Sequence, residues 1–319
     1  MIEALHWLVP LAALAIVALF GFVGCVGDSP EVAAQKAREE TAAKDAAAQQ
    51  AQQQEELYER VILRDPWLVS YWRLSEGDTG SAVAPDSNNQ GMNGSYHLEG
   101  VARSVEGALF VPEHEDKAAQ FDGIRGYMEV PYSQLLNPPQ DFSAEFWLHP
   151  DETPTAPQAV IAAYEVDANG VMLRGYAVDV VPPPSGVTDF QARVRVGNGT
   201  PGSAPAALDV TLGDGLDYGG WFHVVVTYSS INKELNVYVN AIDGKPRASK
   251  GPSTGAPVYL IQNGSAPLRV GAGWSDQAAA APVVGRFFKG RVDEVALYRA
   301  DLDGTAIENH FLRGTSLPT

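Results

Sequence analysis

The sequence predicts an all-β domain, an antiparallel sandwich or barrel, carried behind one transmembrane helix and a helical stalk. Three observations predict it. From Trp67 onward, apolar residues alternate with period two, and turn signals recur between the runs. Ahead of that lies a run rich in Ala, Glu, Gln and Lys without an apolar stripe. Ahead of that again lies an uncharged apolar run long enough to span a bilayer.

The apolar run is Leu8 to Val26. At about 1.5 Å per residue it covers roughly 28 Å, the thickness of a hydrocarbon core, and Trp7 sits where an interfacial aromatic belongs. Residues 1–28 are therefore read as a retained membrane anchor. The competing reading is a cleaved lipoprotein signal with Cys25 as the lipidated residue. Met1 to Trp7 lacks the basic residues that such a signal needs and carries the acidic Glu3. Lys36 and Arg38 are offset by Asp28, Glu31, Glu39 and Glu40, so charge gives little guide to orientation. Small residues, including Ala18, Gly21 and Gly24, recur at every third position and would let another helix pack closely; Ala and Gly are also common in spans without partners. His6 at the membrane edge is read as an interfacial imidazole in preference to a cofactor ligand.

Residues 29–64 read as a polar stalk. Ser29 suits an N-cap, Pro30 the first helical position, and Asp65-Pro66 the stop. With no stripe at helical spacing, the expectation is neither a coiled coil nor a core helix. The sandwich is expected over 65–315, with 316–319 as a tail. Within it Ala144, Phe146 and Leu148 alternate with Glu145, Trp147 and His149, and Leu235, Val237 and Val239 with Asn236, Tyr238 and Asn240. The run Phe222 to Tyr228 is apolar almost throughout, as for a strand covered on both faces. Asn93-Gly94, Asn169-Gly170, Asn198-Gly199, Asp243-Gly244 and Asn263-Gly264 mark turns.

Composition narrows function. Thirty-nine acidic against 22 basic residues give a net charge of −17, which repels phosphate backbones and excludes nucleic acid as a natural partner, while suiting cations or a basic protein. The single cysteine, Cys25, excludes an internal disulfide and a thiolate metal cluster.

The order of the motifs resembles one family. Tyr71-Trp72-Arg73-Leu74 is followed by the loop Asp86 to Gly91, then Ala119-Gln120-Phe121-Asp122-Gly123 and Gly126 to Pro131. Next come Phe142 to Leu148, Trp221 to Val224, Leu235 to Asn240, Leu268 to Gly271 and Gly290 to Tyr298, with a short turn through Ile307. This succession is similar to the laminin-G-like, concanavalin A-like jelly-roll domains. The resemblance implies a jelly-roll sandwich, a binding or adhesion module in preference to an enzyme, and an export address: N-terminus cytoplasmic, large domain periplasmic or extracellular. It also implies a structural Ca²⁺ near Asp86 and Asn88, with Asp293 from the last strand as the matching acidic ligand. The loop Asp86-Ser87-Asn88-Asn89-Gln90-Gly91 reads equally as a solvated Asx turn.

Catalytic motifs fail on inspection. Relatives that cleave glucans carry acidic residues along one strand, but after Glu165 and Asp167 the last Glu is missing and Asn169-Gly170 turns the chain. Gly251 to Gly255 has the form of a nucleophile elbow but lies in a Pro/Gly/Ser loop. The histidines His97, His114, His149, His223 and His310 show no metal spacing, and the sequons at Asn93, Asn198 and Asn263 are short enough to arise by chance. Two functions remain: a structural subunit docking on the outer face of a larger membrane complex, for which a respiratory or photosynthetic one is a natural host, or a surface glycan-binding module with Trp274 or Tyr218 stacking on sugar.

Overall fold

The structure is a computed structural model and describes residues 30–77, 80–109, 116–186, 189–212, 220–255, 262–275 and 282–315. The proposed span, with Ala18, Gly21, Gly24, Cys25 and His6, lies outside the described residues, as do His114 and Tyr218. Among the described residues no helix is long and apolar enough to cross a membrane.

Helix α1 (Pro30–Arg64) leads into strands β1 (Leu68–Trp72), β2 (Val83–Ala84), β3 (Gly94–His97), β4 (Val101–Glu106), β5 (Lys117–Asp122) and β6 (Tyr127–Val130). Then follow β7 (Phe142–Pro150), β8 (Gln158–Val166), β9 (Met172–Val181), β10 (Gln191–Val196), β11 (Ala206–Thr211), β12 (Phe222–Ser229) and β13 (Glu234–Val239). The chain ends with β14 (Ala248–Lys250), β15 (Leu268–Val270), β16 (Gly273–Trp274), β17 (Val284–Gly285), β18 (Lys289–Tyr298) and helix α2 (Gly304–Thr315).

The strands form two antiparallel sheets. Sheet A runs β14-β13-β12-β7-β18-β5-β4, with β1 also on β18; sheet B runs β11-β10-β9-β8-β15-β6-β3-β2. Period two places the core between them: Ala144, Phe146 and Leu148 of β7, Val224 and Val226 of β12, and Leu235, Val237 and Val239 of β13 meet Val160, Ile161, Val178, Val194 and Val270 of sheet B. Three of the five expected turn glycines, Gly170, Gly199 and Gly244, take positive φ. Gly94 instead opens β3.

The chain divides into two compact units, Met1–Ala46 and Ala47–Thr319. The boundary falls inside α1, and the helix end departs from the polar stalk that its sequence suggests. Tyr58 and Ile62, four residues apart and so on one helix face, are fully buried against the outer face of sheet A. They join Trp147, Val225, Tyr71 and Tyr298 of the sheet and Ile307 and Phe311 of α2. The expected short turn at Ile307 is thus a 12-residue helix, burying Ile307, His310, Phe311 and Gly314 at helical spacing. Gly314 is what lets it approach: a β-carbon there would lie 2.5 Å from the Trp147 ring. The run in β12 is covered on both faces because these helices seal its outer side.

Candidate functional site

On the sealed face, β7 places Glu145 outward between Ser143 and Trp147, under both helices. Its carboxylate is wholly buried and accepts the Tyr298 hydroxyl at 2.7 Å and the Tyr58 hydroxyl at 3.3 Å. It also meets His223 Nε2 at 2.8 Å and His310 Nδ1 at 2.9 Å. The Trp147 indole N–H donates to Tyr58 at 3.1 Å. Burial alone would push the Glu145 carboxyl up, but His310 and His223 overrule it and hold the group well below the usual carboxylate range. Burial likewise works against the His310 imidazolium, and the Glu145 carboxylate raises its pKa regardless. Burial and the same carboxylate push the Tyr58 and Tyr298 hydroxyls up, so both stay donors. The six side chains come from five elements, α1, β7, β12, β18 and α2. Every member is buried, so the group forms a structural knot. Metal spacing is absent around His223 and His310 in the sequence; the signal for the knot is Glu145 itself, a carboxylate in a strand buried on both faces.

Farther along the same face lies an acidic cluster. Asp116, Asp293 and Glu294 are all buried and bring carboxylate oxygens within 4.8 Å of one another. A bulge between Asp293 and Ala296 in the pairing of β18 with β7, with Glu294 at φ 51°, breaks the alternation and lets two consecutive acids share one site. Period two hides Glu294 from a sequence reading for the same reason. Burial, then the neighbouring Asp116, pushes Asp293 well above the ordinary range; burial, then Glu59, does so for Glu294; burial raises Asp116. Tyr71 donates its hydroxyl to Glu294 and Arg73 lies 3.4 Å from it, but Asp116 Oδ1 has no hydrogen-bond partner. Three buried carboxyl groups, one with an orphaned oxygen, are donors of the kind a hard cation takes, while the Arg73 guanidinium opposes its charge.

Asp86 and Asn88, expected beside Asp293 as ligands, have other work. The Asp86 carboxylate accepts the backbone N–H groups of Tyr71, Asn88, Gln90 and Met92 at 3.0 to 3.3 Å, and the Asn88 amide donates to the carbonyls of Leu68 and Val69. The loop is an Asx knot fastened to β1, its carboxylate facing four N–H dipoles.

The outer face of sheet B is differently made. Ala159, Ala162 and Ala177 floor it, with Tyr164 and Met172 beside them. Gly175, at φ 93°, stands opposite Tyr164, where a β-carbon would meet the Ala163 carbonyl at 2.1 Å. Its charges come in pairs. Arg195 forks onto Asp179 at 2.5 and 3.1 Å, Arg286 reaches the same carboxylate at 3.2 Å, Arg193 forks onto Asp209, and Arg269 binds Glu129 at 2.8 Å. The Arg269 guanidinium stacks 3.9 Å from the centre of the Trp274 ring, while the indole N–H donates to the Tyr164 carbonyl at 2.6 Å. Trp274 is therefore a fixed, half-buried plate. It borders a cavity of about 400 Å³ lined by Glu165, Val166, Ser265, Ala266, Pro267 and Pro282. Glu165 Oε1 accepts Ser265 Oγ at 3.0 Å.

The remaining motifs are structural. Asp167 binds the N–H groups of Gly202, Asn169 and Val171, which lower its pKa, and so closes a hairpin with no acidic partner for glycoside cleavage. Pro252–Thr254 is a single 3₁₀ turn, not a strand-to-helix elbow. Asn263 is fully buried and hydrogen-bonded. His97 stacks on Tyr127, their ring centres 3.9 Å apart.

Two jelly-roll sheets, one face sealed and the other carrying a polar aromatic surface, define a lectin-like sandwich. A family model described as the concanavalin A-like lectin/glucanases superfamily matches residues 122–308, more than half of the chain. The chain belongs to that superfamily. No curated protein matches it. Among solved structures it is similar to the receptor-binding domain of botulinum neurotoxin type G, at 11% identity over 76% of this chain and 50% of that one, TM-score 0.50. It is also similar to domain 4 of AbnA, an extracellular arabinanase of Geobacillus stearothermophilus in complex with arabinotriose, at 18% identity over 76% and 98%, TM-score 0.47. The chain thus spans about half the length of the neurotoxin domain. These are likenesses of fold.

Proposed function

We propose that the chain is a non-catalytic glycan-binding module that takes a neutral oligosaccharide at the Trp274 end of sheet B. The observation that supports it is the cavity itself. An immobilised indole borders one side, and a carboxylate and a hydroxyl, Glu165 and Ser265, border the other. A pyranose or furanose offers an apolar face to stack on an aromatic ring and hydroxyls for a carboxylate to accept. Among the described residues four arginines of this face share three carboxylates, so most of its charge is compensated and a neutral sugar suits it better than a strongly charged one. The resemblance to receptor-binding and oligosaccharide-bound domains is in the same spirit and adds only the fold.

The test is a panel of neutral oligosaccharides titrated against the full chain and Trp274→Ala. Saturable binding is expected, weakened in the variant by roughly tenfold, the loss of about 1.5 kcal/mol of ring contact. An absence of saturable binding, or equal binding by the variant, rejects the reading.

The uncharged run of residues 8–26 supports a further part of the proposal: the module is held by a single span in the cytoplasmic membrane, N-terminus inside, with the domain periplasmic or extracellular. Docking on a larger membrane complex through Ala18, Gly21 and Gly24 is the alternative use of that anchor. In mild detergent a docked subunit co-purifies with other chains and loses them on Gly21→Leu; a free monomer rejects docking and leaves the glycan reading intact. Calcium is proposed at Asp116, Asp293 and Glu294, where the orphaned Asp116 oxygen supports it.

A further inference from the structure

A second cavity, of about 510 Å³, opens where α1 turns into β1 and β18 leads into α2. Its lining includes Asp65, Trp67, Asp141, Arg299, Asp301 and Asp303, four carboxylates against one guanidinium. The acids are fixed in direction by the fold. Asp65 Oδ1 accepts the Trp67 N–H at 2.7 Å, Asp141 Oδ1 the Ser230 N–H at 2.6 Å, and Asp303 Oδ1 the Ala306 N–H at 2.8 Å as it caps α2. Asp301 is exposed.

Trp67 makes this a binding surface as well as an acidic one. It is 51% exposed, the most open tryptophan among the described residues, although its backbone is tied down by the Asp65 bond and by the Arg299 N–H donating to its carbonyl at 2.9 Å. Its ring already carries a guanidinium: Arg299 lies 5.6 Å from the ring centre. The internal arginine shows what the cavity accommodates, a planar cation over an indole with carboxylates around it. The sign of the whole chain, −17, draws cations toward it from a distance.

We infer that this cavity is a docking site for a basic peptide segment of a partner protein, with an arginine or lysine side chain stacking on Trp67 and paired by Asp301 and Asp303. The cavity holds one or two side chains, which is the scale of a short linear segment. It shares no residue with the Trp274 cavity, and the inference stands whether or not that site takes sugar.

The experiment titrates the full-length chain with a fluorescein-labelled hexa-arginine peptide, hexa-glutamate serving as control, at two salt concentrations. Four proteins are compared: wild type, Trp67→Ala, Asp301→Asn/Asp303→Asn, and a charge-matched Glu99→Gln/Glu152→Gln. Asn keeps the capping oxygen at position 303, and Trp67 is half exposed, so these variants should fold; a thermal melt of each checks it. Saturable binding is expected, weaker at high salt. It should fall about fivefold in Asp301→Asn/Asp303→Asn and about threefold in Trp67→Ala, and stay unchanged in the charge-matched protein. Equal weakening by the charge-matched pair would mean diffuse attraction to an acidic surface and would overturn the site. So would no saturable binding, or a Trp67→Ala effect seen with neutral oligosaccharides and not with the peptide.

Discussion

The outer faces of the two sheets are built from the same alternation and put to opposite uses. On sheet A, the outward positions of β7, β12 and β18 carry Glu145, Trp147, Val225 and Tyr298, and two helices close over them. On sheet B, the outward positions of β9, β10 and β15 carry Asp179, Arg195 and Arg269, and a tryptophan is fixed beside a cavity. Both faces are rich in charge. What differs is where its partners come from. Glu145 meets His223 on the neighbouring strand β12, but its His310 and Tyr58 partners come from helices at the two ends of the domain, so its charge becomes a fastening for those helices. The sheet B pairs lie between strand neighbours and leave the surface free. A jelly roll has two outer faces, and this chain spends one on holding its helices.

The comparison fails most visibly if the helix end is dispensable. A fragment starting at residue 65 lacks Tyr58 and Ile62, both fully buried, whereas one starting at residue 47 keeps them. Removing two core side chains costs on the order of 5 kcal/mol or more, so the shorter fragment should melt far lower or fail to fold. Equal melting temperatures would return residues 58–64 to a stalk. Glu145→Ala is the next largest test. It leaves His223, His310, Tyr58 and Tyr298 without their shared acceptor, and removal of one partner from a buried charged network costs about 3–5 kcal/mol. Denaturant unfolding measures it; a loss under about 1 kcal/mol would mean that packing alone seals the face.

The knot also sets a pH dependence. His310 has a raised folded pKa, so its contribution is complete below the unfolded imidazole value, about 6.5, and is lost as pH rises through the folded value. Glu145 has a depressed pKa, so its contribution is present above the unfolded carboxyl value, about 4.3, and is lost as pH falls toward the folded value. The raised carboxyls of the acidic cluster also lose stability as pH rises. The difference in unfolding free energy between wild type and His310→Asn isolates the knot. It should be largest near pH 5.5 and shrink toward pH 9; a flat difference would mean that folding leaves the His310 pKa unshifted, and one that grows toward pH 9 that His310 is buried neutral.

Much of the sandwich was legible because it rests on period two, and β7, β12 and β13 obey it. What escaped was everything set by long-range covering. Tyr58 and Ile62 are two apolar residues at the end of a polar helix, and their spacing is too brief a signal to read as a face. The Asp-rich stretch before Ile307, closed by Gly304, reads as a turn and hid α2. The histidines of the knot stand 87 residues apart, and only the pairing of β7 with β12 and the docking of α2 bring them to one carboxylate. Of the expected cation ligands, Asp293 sits in an acidic cluster, but Asp86 is an N–H acceptor and Glu294 was masked by a bulge. Trp274 was legible as an aromatic candidate, while the cavity beside it needed Glu165 of β8 and Ser265 of the loop before β15, 100 residues apart in the chain.

The smallest expected effect separates the two buried acid sites of sheet A. Glu145 has two histidines for company; Asp116, Asp293 and Glu294 have one contacting guanidinium, Arg73, among the described residues, and leave one oxygen unpartnered. The first site should therefore be indifferent to divalent cations and the second responsive to them. Ca²⁺ at a hundred times its Kd would stabilise the folded chain by about 2.7 kcal/mol, raising the melting temperature by several degrees, and chelator should reverse it. Asp293→Asn should abolish the shift because it removes a ligand. Asp86→Asn should leave the shift in place while lowering the melting temperature itself, since its oxygens hold four backbone N–H groups and the amide keeps only one as an acceptor. A shift abolished by Asp86→Asn and untouched by Asp293→Asn would move the ion back to the loop. No shift in any protein would mean that protons, held by the raised carboxyls, take the place of the cation.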